Sequence, residues 1–237
     1  MKKLAIIAII LIILLCGCNV CREGNEMTKI AEKYDLMTRL VEPYNRLAIE
    51  ISEQSDPIQN EELVKIIDYI PSIQIDLRYA AADNFTNHVI YEFTDGYLRY
   101  GTILKLQKVQ AELMDLGYSL VVWDAFRPVS AQFRLWEIMP NSNYVANPNT
   151  GYSTHSRGNT VDVSMVALNG EFCEMPTEFD DFSAKADRNY SDIPEQAVYH
   201  ASLLERIMEK HGFEGYAKEW WHYSDTMVYD VEKSFNP

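Results

Sequence analysis

The sequence contains few cysteines, only Cys16, Cys18, Cys21 and Cys173 in 237 residues. So small a number excludes the disulfide framework that holds many small secreted domains together. Cys18 and Cys21 form a C-x-x-C pair, but a spacing this short arises easily by chance. If Cys18 is modified, as the following observations predict, Cys21 and Cys173 remain, and whether these two form a disulfide stays open.

Positive charge is also scarce, because 21 lysines and arginines face 35 acidic residues and give a formal net charge of -14. A chain this acidic is repelled by nucleic acids and by anionic lipid surfaces, so we expect neither as a partner. The hydrophobic share of 47% is typical of a globular protein and not of a disordered one. The length fits one sizeable domain.

A hydrophobic run long enough to span a bilayer is missing as well. The apolar run from Leu4 to Leu15 has twelve residues, which suits the core of a signal peptide, and Lys2 and Lys3 precede it. The following "LCGC" resembles the lipobox of bacterial lipoproteins. This resemblance implies cleavage before Cys18 and its lipidation, and hence an extracytoplasmic protein that is anchored to the cell membrane as a lipoprotein. An uncleaved signal anchor is the alternative.

These features predict three segments: a lipoprotein signal peptide at residues 1–17, a polar spacer at 18–60 and a single folded domain at 61–237. The spacer is rich in charged residues with scattered apolar ones. The sequence shows no internal repeat and no low-complexity segment.

Hydrophobic periodicity predicts the elements of this domain. Helical periods cover residues 102–116 and 195–210, each followed by a glycine that favours a helix end. Alternating or apolar stretches predict strands, namely "SIQIDLRYA", "YSLVVWDAFRP", "NTVDVSM" and "EWWHYS". Helices and strands mix without a regular βαβ rhythm, so we expect an α+β fold with a mainly antiparallel central sheet and flanking helices.

Two stretches carry candidate metal ligands, "GYSTHSRGNTVDVSM" with His155 and Asp162, and "KEWWHYS" with His222. A catalytic zinc requires three protein ligands and one open position, and imidazole and carboxylate groups are suitable. Taken alone, each histidine also fits an ordinary hydrogen-bonded or surface residue. The aspartate is less ordinary, because a buried carboxylate in an apolar strand needs a positive partner or a metal.

Glu219 lies three residues before His222. Metal-assisted hydrolysis needs a base that is not itself a ligand, and a glutamate suits this role. In a regular strand the two side chains would face opposite ways, so this role requires a bulge or a turn at Glu219. The alternative is a solvent-exposed glutamate that precedes an aromatic strand.

Taken together, "SxHxxGxxxD" and "ExxH" resemble the zinc D-alanyl-D-alanine dipeptidases. The first motif is Ser153, His155, Gly158 and Asp162, and the second is Glu219 and His222. The stretches "IDLRYA", "GYSLVVWDAFRP" and "FDDF" extend the resemblance, in order, over about residues 64–224. This family is related to the D,D-carboxypeptidases and shares a fold with the hedgehog signalling domain.

The resemblance implies a role for each matching residue. His155, Asp162 and His222 would bind Zn²⁺, and Glu219 would be the general base that activates the zinc-bound water. Arg127 would stabilise the oxyanion together with the zinc, although a structural salt bridge with Asp124 is the alternative.

Two further residues would bind the substrate. Ser153 would help to hold it, and Asp180 would accept its free amino group, with the adjacent Asp181 as the alternative.

The function implied is hydrolysis of the D-Ala-D-Ala dipeptide or related small peptides, with a role in cell-wall turnover or dipeptide salvage. One alternative is a D,D-carboxypeptidase that trims peptidoglycan stem peptides. Another is a zinc-containing binding module without turnover, against which the presence of Glu219 and Arg127 argues.

Overall fold

The computed structural model describes residues 58–142 and 144–237. They belong to one compact unit, Ile58–Pro237, which contains the whole predicted domain. The predicted signal peptide, Cys18, Cys21 and most of the predicted spacer lie outside the described residues. Within the described ranges, no helix combines the length and the apolar character that crossing a membrane requires.

The centre of this unit is a five-stranded sheet with the spatial order β2-β4-β5-β7-β6. Its strands are β2 (Gln74–Ile75), β4 (Tyr118–Asp124), β5 (Thr160–Ala167), β6 (Phe213–Gly215) and β7 (His222–Asp225). Strands β2 and β4 run parallel, and the other three neighbouring pairs are antiparallel. A separate antiparallel pair joins β1 (Leu63–Lys65) to β3 (Tyr97–Arg99). The predicted α+β fold is therefore confirmed, and the one parallel pair makes the mainly antiparallel sheet mixed.

Within residues 58–142 and 144–237, four α-helices accompany the sheets: α1 (Ile66–Tyr69), α2 (Tyr100–Asp115), α3 (Val129–Ile138) and α4 (Glu195–Lys210). Helices α2 and α4 pack on the central sheet and on each other. Their buried aliphatic side chains join those of β4 and β5 in one hydrophobic core. Helix α2 buries Ile103, Leu106, Val109 and Leu113 completely, at the three- and four-residue spacing of one helical face.

Two predicted strands are shorter than their hydrophobic patterns. In "SIQIDLRYA" only Gln74–Ile75 is a strand, and a 3-10 turn at Arg78–Ala80 follows. The alternation of burial is nevertheless kept, because Ile73, Leu77 and Tyr79 are buried. In "EWWHYS" the strand begins only at His222, so the prediction of a strand from residue 219 is wrong. A turn occupies Trp220 and Trp221 instead.

Candidate active site

The three predicted metal ligands lie together at one end of the central sheet. His155, Asp162 and His222 each offer one ligand atom, and these atoms all lie within 4.8 Å of one another. Strand pairing explains half of this arrangement, because Asp162 on β5 lies directly opposite His222 on β7. His155 lies in the 3-10 turn Thr154–Arg157, just before β5.

Gly158 brings that turn back to the sheet. It ends the turn with a φ of 74°, a left-handed conformation that glycine adopts without strain. A Cβ atom at this position would also lie 2.5 Å from Leu63 Cδ2. The glycine of "SxHxxGxxxD" is therefore required on two counts, its backbone conformation and the close approach of β1.

Each histidine is held by one ring nitrogen and presents the other to Asp162. His155 Nδ1 donates to the Ala125 carbonyl oxygen at 2.8 Å, while its Nε2 lies 3.3 Å from Asp162 Oδ2. His222 Nε2 lies 3.4 Å from Thr154 Oγ1, while its Nδ1 lies 3.0 Å from Asp162 Oδ1. Metal-ligating histidines typically show this arrangement, in which a second hydrogen bond fixes the ring orientation.

The carboxylate of Asp162 tests whether a cation fits. Asp162 is 3% exposed, and among the described residues its Oδ1 has no hydrogen-bond partner. His222 Nδ1 lies 3.0 Å from this oxygen. A buried carboxylate oxygen in this position is unfavourable without a cation. Two imidazoles and one carboxylate are a donor set that suits zinc and leaves a position open.

The charged groups of this cluster shift one another's pKa values. Burial raises the pKa of the Asp162 carboxyl, but the facing His155 and His222 more than offset this and hold the pKa well below its usual range. Burial lowers the pKa of His155, and the carboxylates of Asp162 and Asp124 raise it overall. Asp162 is therefore ionised and available to a cation at neutral pH.

Arg127 lies in a buried network beside the cluster. Asp124 is opposite Asp162 in the sheet, and it accepts hydrogen bonds from Arg127 Nε at 3.1 Å and Tyr91 Oη at 2.6 Å. Arg127 Nη1 donates to Gln132 Oε1 at 2.9 Å. Burial lowers the pKa of Arg127, but Asp124 raises it overall, so the guanidinium stays charged. The salt bridge with Asp124 is thus present, and Arg127 also lines the cavity above the cluster.

Glu219 reaches the cluster through the turn that precedes β7. Its backbone N–H donates to the Tyr216 carbonyl oxygen at 3.1 Å, and its Oε2 lies 3.5 Å from His222 Nδ1. The turn at Trp220 and Trp221 removes the strand alternation that would have separated the two side chains. Burial raises the pKa of Glu219, and Asp162 adds to this increase while His222 opposes it.

The two predicted substrate-binding residues face the same cavity. Asp180 accepts a hydrogen bond from Tyr79 Oη at 2.9 Å, and burial, with a contribution from Asp162, raises its pKa to about 8. Asp181 does not line this cavity and instead accepts a hydrogen bond from the Ser183 N–H at 2.7 Å. Ser153 lines the cavity and caps the 3-10 turn, because its Oγ accepts from the His155 N–H at 3.3 Å.

The cavity above these residues has a volume of about 300 Å³. Besides the polar residues just described, aromatic side chains line much of it, namely Tyr79, Phe85, Tyr144, Tyr152, Phe182, Tyr216 and Trp221. Sequence reasoning did not assign Tyr79, Tyr91 or Thr154. Tyr79 lies within the quoted "IDLRYA", so a motif could have indicated it, whereas no sequence pattern indicates Tyr91.

Comparison with known proteins agrees with this geometry. The Peptidase_M15 family model, described as D-ala-D-ala dipeptidase, matches residues 59–235. The chain is 35% identical over 162 residues to a D-alanyl-D-alanine dipeptidase of Escherichia coli, covering 68% of this chain and 83% of that protein. It is 33% identical over 171 residues to a D-alanyl-D-alanine dipeptidase of Enterococcus faecalis, covering 64% and 85%.

Among solved structures, the chain is similar to the vancomycin resistance D,D-pentapeptidase VanY in complex with Zn(II). The sequence identity is 14% and the TM-score 0.39, over 58% of this chain and 77% of the other.

Proposed function

Because the chain belongs to the Peptidase_M15 family of D-ala-D-ala dipeptidases, a family of metallopeptidases, we propose that it hydrolyses the D-Ala-D-Ala dipeptide with the help of zinc. The resemblance seen in the sequence is confirmed at the level of the family. One observation carries the specific proposal: His155, Asp162 and His222 converge within 4.8 Å, and Glu219 lies beside them without completing the ligand set.

The three converging residues would hold the zinc. When bound, zinc lowers the pKa of a coordinated water and polarises a peptide carbonyl. Glu219 accepts the proton of the attacking water and passes it to the leaving amine. The raised pKa of Glu219 suits this exchange, because a base whose pKa approaches the working pH both takes and returns a proton.

Arg127 stabilises the negative charge that develops on the carbonyl oxygen. Its bonds to Asp124 and Gln132 fix the guanidinium in the cavity wall, and such preorganised donors act mainly on the transition state. The salt bridge and the oxyanion role are therefore compatible, since the first positions the group that performs the second.

Selectivity for a free dipeptide rests on Asp180. Its carboxylate accepts the substrate's ammonium group in a cavity of about 300 Å³, and Ser153 lies on the same cavity. A stem peptide has no free amino group at this position and would leave the carboxylate unpaired. This contrast favours the dipeptidase over the D,D-carboxypeptidase.

A direct test uses the zinc-loaded full chain with D-Ala-D-Ala and with a pentapeptide ending in D-Ala-D-Ala. We expect about one zinc per chain and faster cleavage of the dipeptide. His155→Ala should lose the metal and the activity. His200→Ala is the matched control, because that histidine is bonded to the Glu174 carbonyl oxygen at 2.9 Å, outside the cluster, and should keep both.

The other outcomes separate the alternatives. Full zinc retention in both His155→Ala and His222→Ala would contradict the ligand set. Preferential cleavage of the pentapeptide would assign the chain to the D,D-carboxypeptidases. A wild type that binds zinc and cleaves neither peptide would be a binding module.

We further propose that the protein is anchored outside the cytoplasmic membrane through a lipidated Cys18, where it would serve cell-wall turnover or dipeptide salvage. Lys2, Lys3, the twelve-residue apolar run and "LCGC" support this location. Metabolic labelling with a fatty acid should mark the wild type and the control Cys21→Ser, but not Cys18→Ser. Equal labelling of all three would exclude Cys18 as the site.

A further inference from the structure

A second cavity lies next to the catalytic one without sharing a lining residue with it. This rear cavity has a volume of about 390 Å³, and its polar lining consists chiefly of Arg78, Trp123, Ser164, Cys173, Glu174 and Glu178. Trp123 directly precedes Asp124, and Ser164 follows Asp162 by two residues on β5. The ring of Phe179 lies between lining residues of the two cavities, because its centroid is 5.3 Å from that of Trp123 in the rear cavity and 5.5 Å from that of Trp221 in the catalytic one.

The rear cavity concentrates buried polar atoms that lack partners. In the described part of the chain seven buried side-chain atoms have no hydrogen-bond partner, and three of them, Arg78 Nε, Trp123 Nε1 and Ser164 Oγ, belong to residues that line this cavity. Trp123 is 4% exposed and Ser164 is 1% exposed. Native proteins leave few such groups unsatisfied, so these three atoms need a partner with complementary groups, either a ligand or ordered water.

A nearby tryptophan, Trp220, provides a comparison, because its indole N–H has a hydrogen-bond acceptor. Its indole N–H donates to Thr177 Oγ1 at 2.9 Å. The indole N–H of Trp123, in contrast, has no acceptor among the described residues.

The unpartnered atoms share a chemical character. Arg78 Nε and Trp123 Nε1 can only donate, and the Ser164 hydroxyl can also donate. The Arg78 guanidinium lies 5.1 Å from the centre of the Trp123 ring and its Nη2 lies 3.2 Å from Asp76 Oδ2, so the donor is held in place. A carboxylate, which accepts several hydrogen bonds and carries the opposite charge to Arg78, is the matching group.

The rim of the rear cavity has the opposite charge. Glu174 and Glu178 line it and are exposed. Two carboxylates at the mouth disfavour an anion that carries negative charge alone, and they favour a ligand that also carries an ammonium group. We propose that the rear cavity binds a small zwitterionic amino acid, with its carboxylate at Arg78, Trp123 and Ser164 and its ammonium group at Glu174 and Glu178.

The test titrates D-alanine into the zinc-loaded full chain with ¹⁵N-labelled tryptophan. D-Alanine serves as the probe because the proposed reaction releases it, but the inference rests on the rear cavity alone. The indole N–H resonance of Trp123, assigned through its loss in Trp123→Phe, should shift saturably. The resonance of Trp220 should stay, since its N–H is already bonded.

Variants locate the binding. Ser164→Ala should raise the Kd for D-alanine about tenfold, as the loss of one hydrogen bond to a charged group predicts. Ser156→Ala removes another unpartnered buried hydroxyl, one outside the rear cavity, and should leave the Kd unchanged. Asp180→Asn alters the catalytic cavity and should also leave it unchanged, which separates rear-cavity binding from product binding at the catalytic cavity.

Two simpler ligands, each with one of the two charged groups, test the two ends of the site. Acetate should bind more weakly than D-alanine, and methylamine should not shift the Trp123 resonance. Glu178→Gln alters an exposed residue, so folding is not at issue, and it should weaken D-alanine towards the affinity of acetate. A Trp123 resonance unmoved by millimolar D-alanine would mean that only water fills the cavity, and it would overturn the proposal. An equal shift of the Trp123 resonance with methylamine would also overturn the proposal, and so would the loss of the D-alanine shift in Asp180→Asn.

Discussion

The two faces of strand β5 are both buried, yet they differ in what they bury. Val161, Val163 and Met165 on one face are fully buried aliphatic side chains of the core. On the other face Asp162 lines the catalytic cavity and Ser164 the rear cavity. Each has a side-chain oxygen without a hydrogen-bond partner in the part of the chain that the structure describes. The first face stabilises the fold by removing apolar surface from water. The second carries polar groups that destabilise the fold unless a ligand satisfies them.

This difference teaches that alternation along a strand need not separate core from solvent. Here the alternation separates core from binding sites. Substitutions on the aliphatic face should therefore change the free energy of unfolding and leave catalysis intact, whereas substitutions around the polar face should change catalysis.

The largest expected effect is that of Glu219→Ala. Loss of a general base reduces kcat by about 10²–10⁴. Glu219 stands outside the proposed ligand set of His155, Asp162 and His222, so zinc content and Tm should stay near those of the wild type. All three quantities are measured on one preparation. Glu214→Ala, which changes an exposed glutamate on β6, is the control and should keep full activity. Hydrolysis by Glu219→Ala at near wild-type rate would overturn the mechanism.

Arg127→Ala should reduce kcat by about 10²–10³, as the loss of an oxyanion donor typically does. It should also lower Tm, because Asp124 is fully buried and loses its charged partner. Zinc should be retained. Arg134→Ala, at an arginine whose side chain is 48% exposed, is the control for kcat. A variant that melts earlier but keeps a normal kcat would limit Arg127 to its structural salt bridge.

Val163→Ala probes the aliphatic face. The removal of two buried methyl groups should destabilise the fold by about 1.5–3 kcal/mol, which corresponds to a decrease in Tm of about 4–10 °C at this chain length. The kcat of the folded enzyme should stay near that of the wild type, because the Val163 side chain packs in the core and does not line the catalytic cavity. A large fall in kcat at unchanged Tm would show that the two faces are not separable.

The sequence predicted the aliphatic face better than the polar one. The period of helix α2 and the alternation of β5 are local, so residues such as Leu106 and Val163 could be assigned to the core from spacing alone. The short strands β1, β3 and β6 have three residues each, too few to show a period, and were not predicted.

The catalytic cavity beside the polar face, in contrast, is built by contacts between segments that are distant in the sequence. The motif residues could be listed, but spacing could not show that a turn brings Glu219 to His222 or that Tyr79 bonds to Asp180 across 101 residues. It also could not choose between Asp180 and Asp181 as the residue facing the cavity. Asp180 has a φ of 57°, a left-handed conformation that is uncommon for residues other than glycine and that spacing alone does not predict. Residue roles came from the resemblance, and their geometry came only from the fold.

The stability of the metal-free protein should also depend on pH through Asp180. Burial raises the pKa of Asp180 from 3.8 to about 8, so the folded state binds this proton more tightly than the unfolded chain does. The free energy of unfolding therefore falls as the pH rises from about 4 to about 8, and the loss is complete above that range. Asp180→Asn removes the charge and keeps an oxygen that can accept from Tyr79 Oη.

The variant should consequently melt near the wild type at pH 5 and above it at pH 9. A pKa difference of one unit already corresponds to about 1.4 kcal/mol, or about 3–5 °C at this chain length. Asp181→Asn removes a neighbouring carboxylate outside the catalytic cavity and controls for charge removal as such. Thermal melts of the chelator-treated proteins across this pH range measure the difference. If the gain in Tm is the same at every pH, or is largest at low pH, the buried charge of Asp180 does not destabilise the fold.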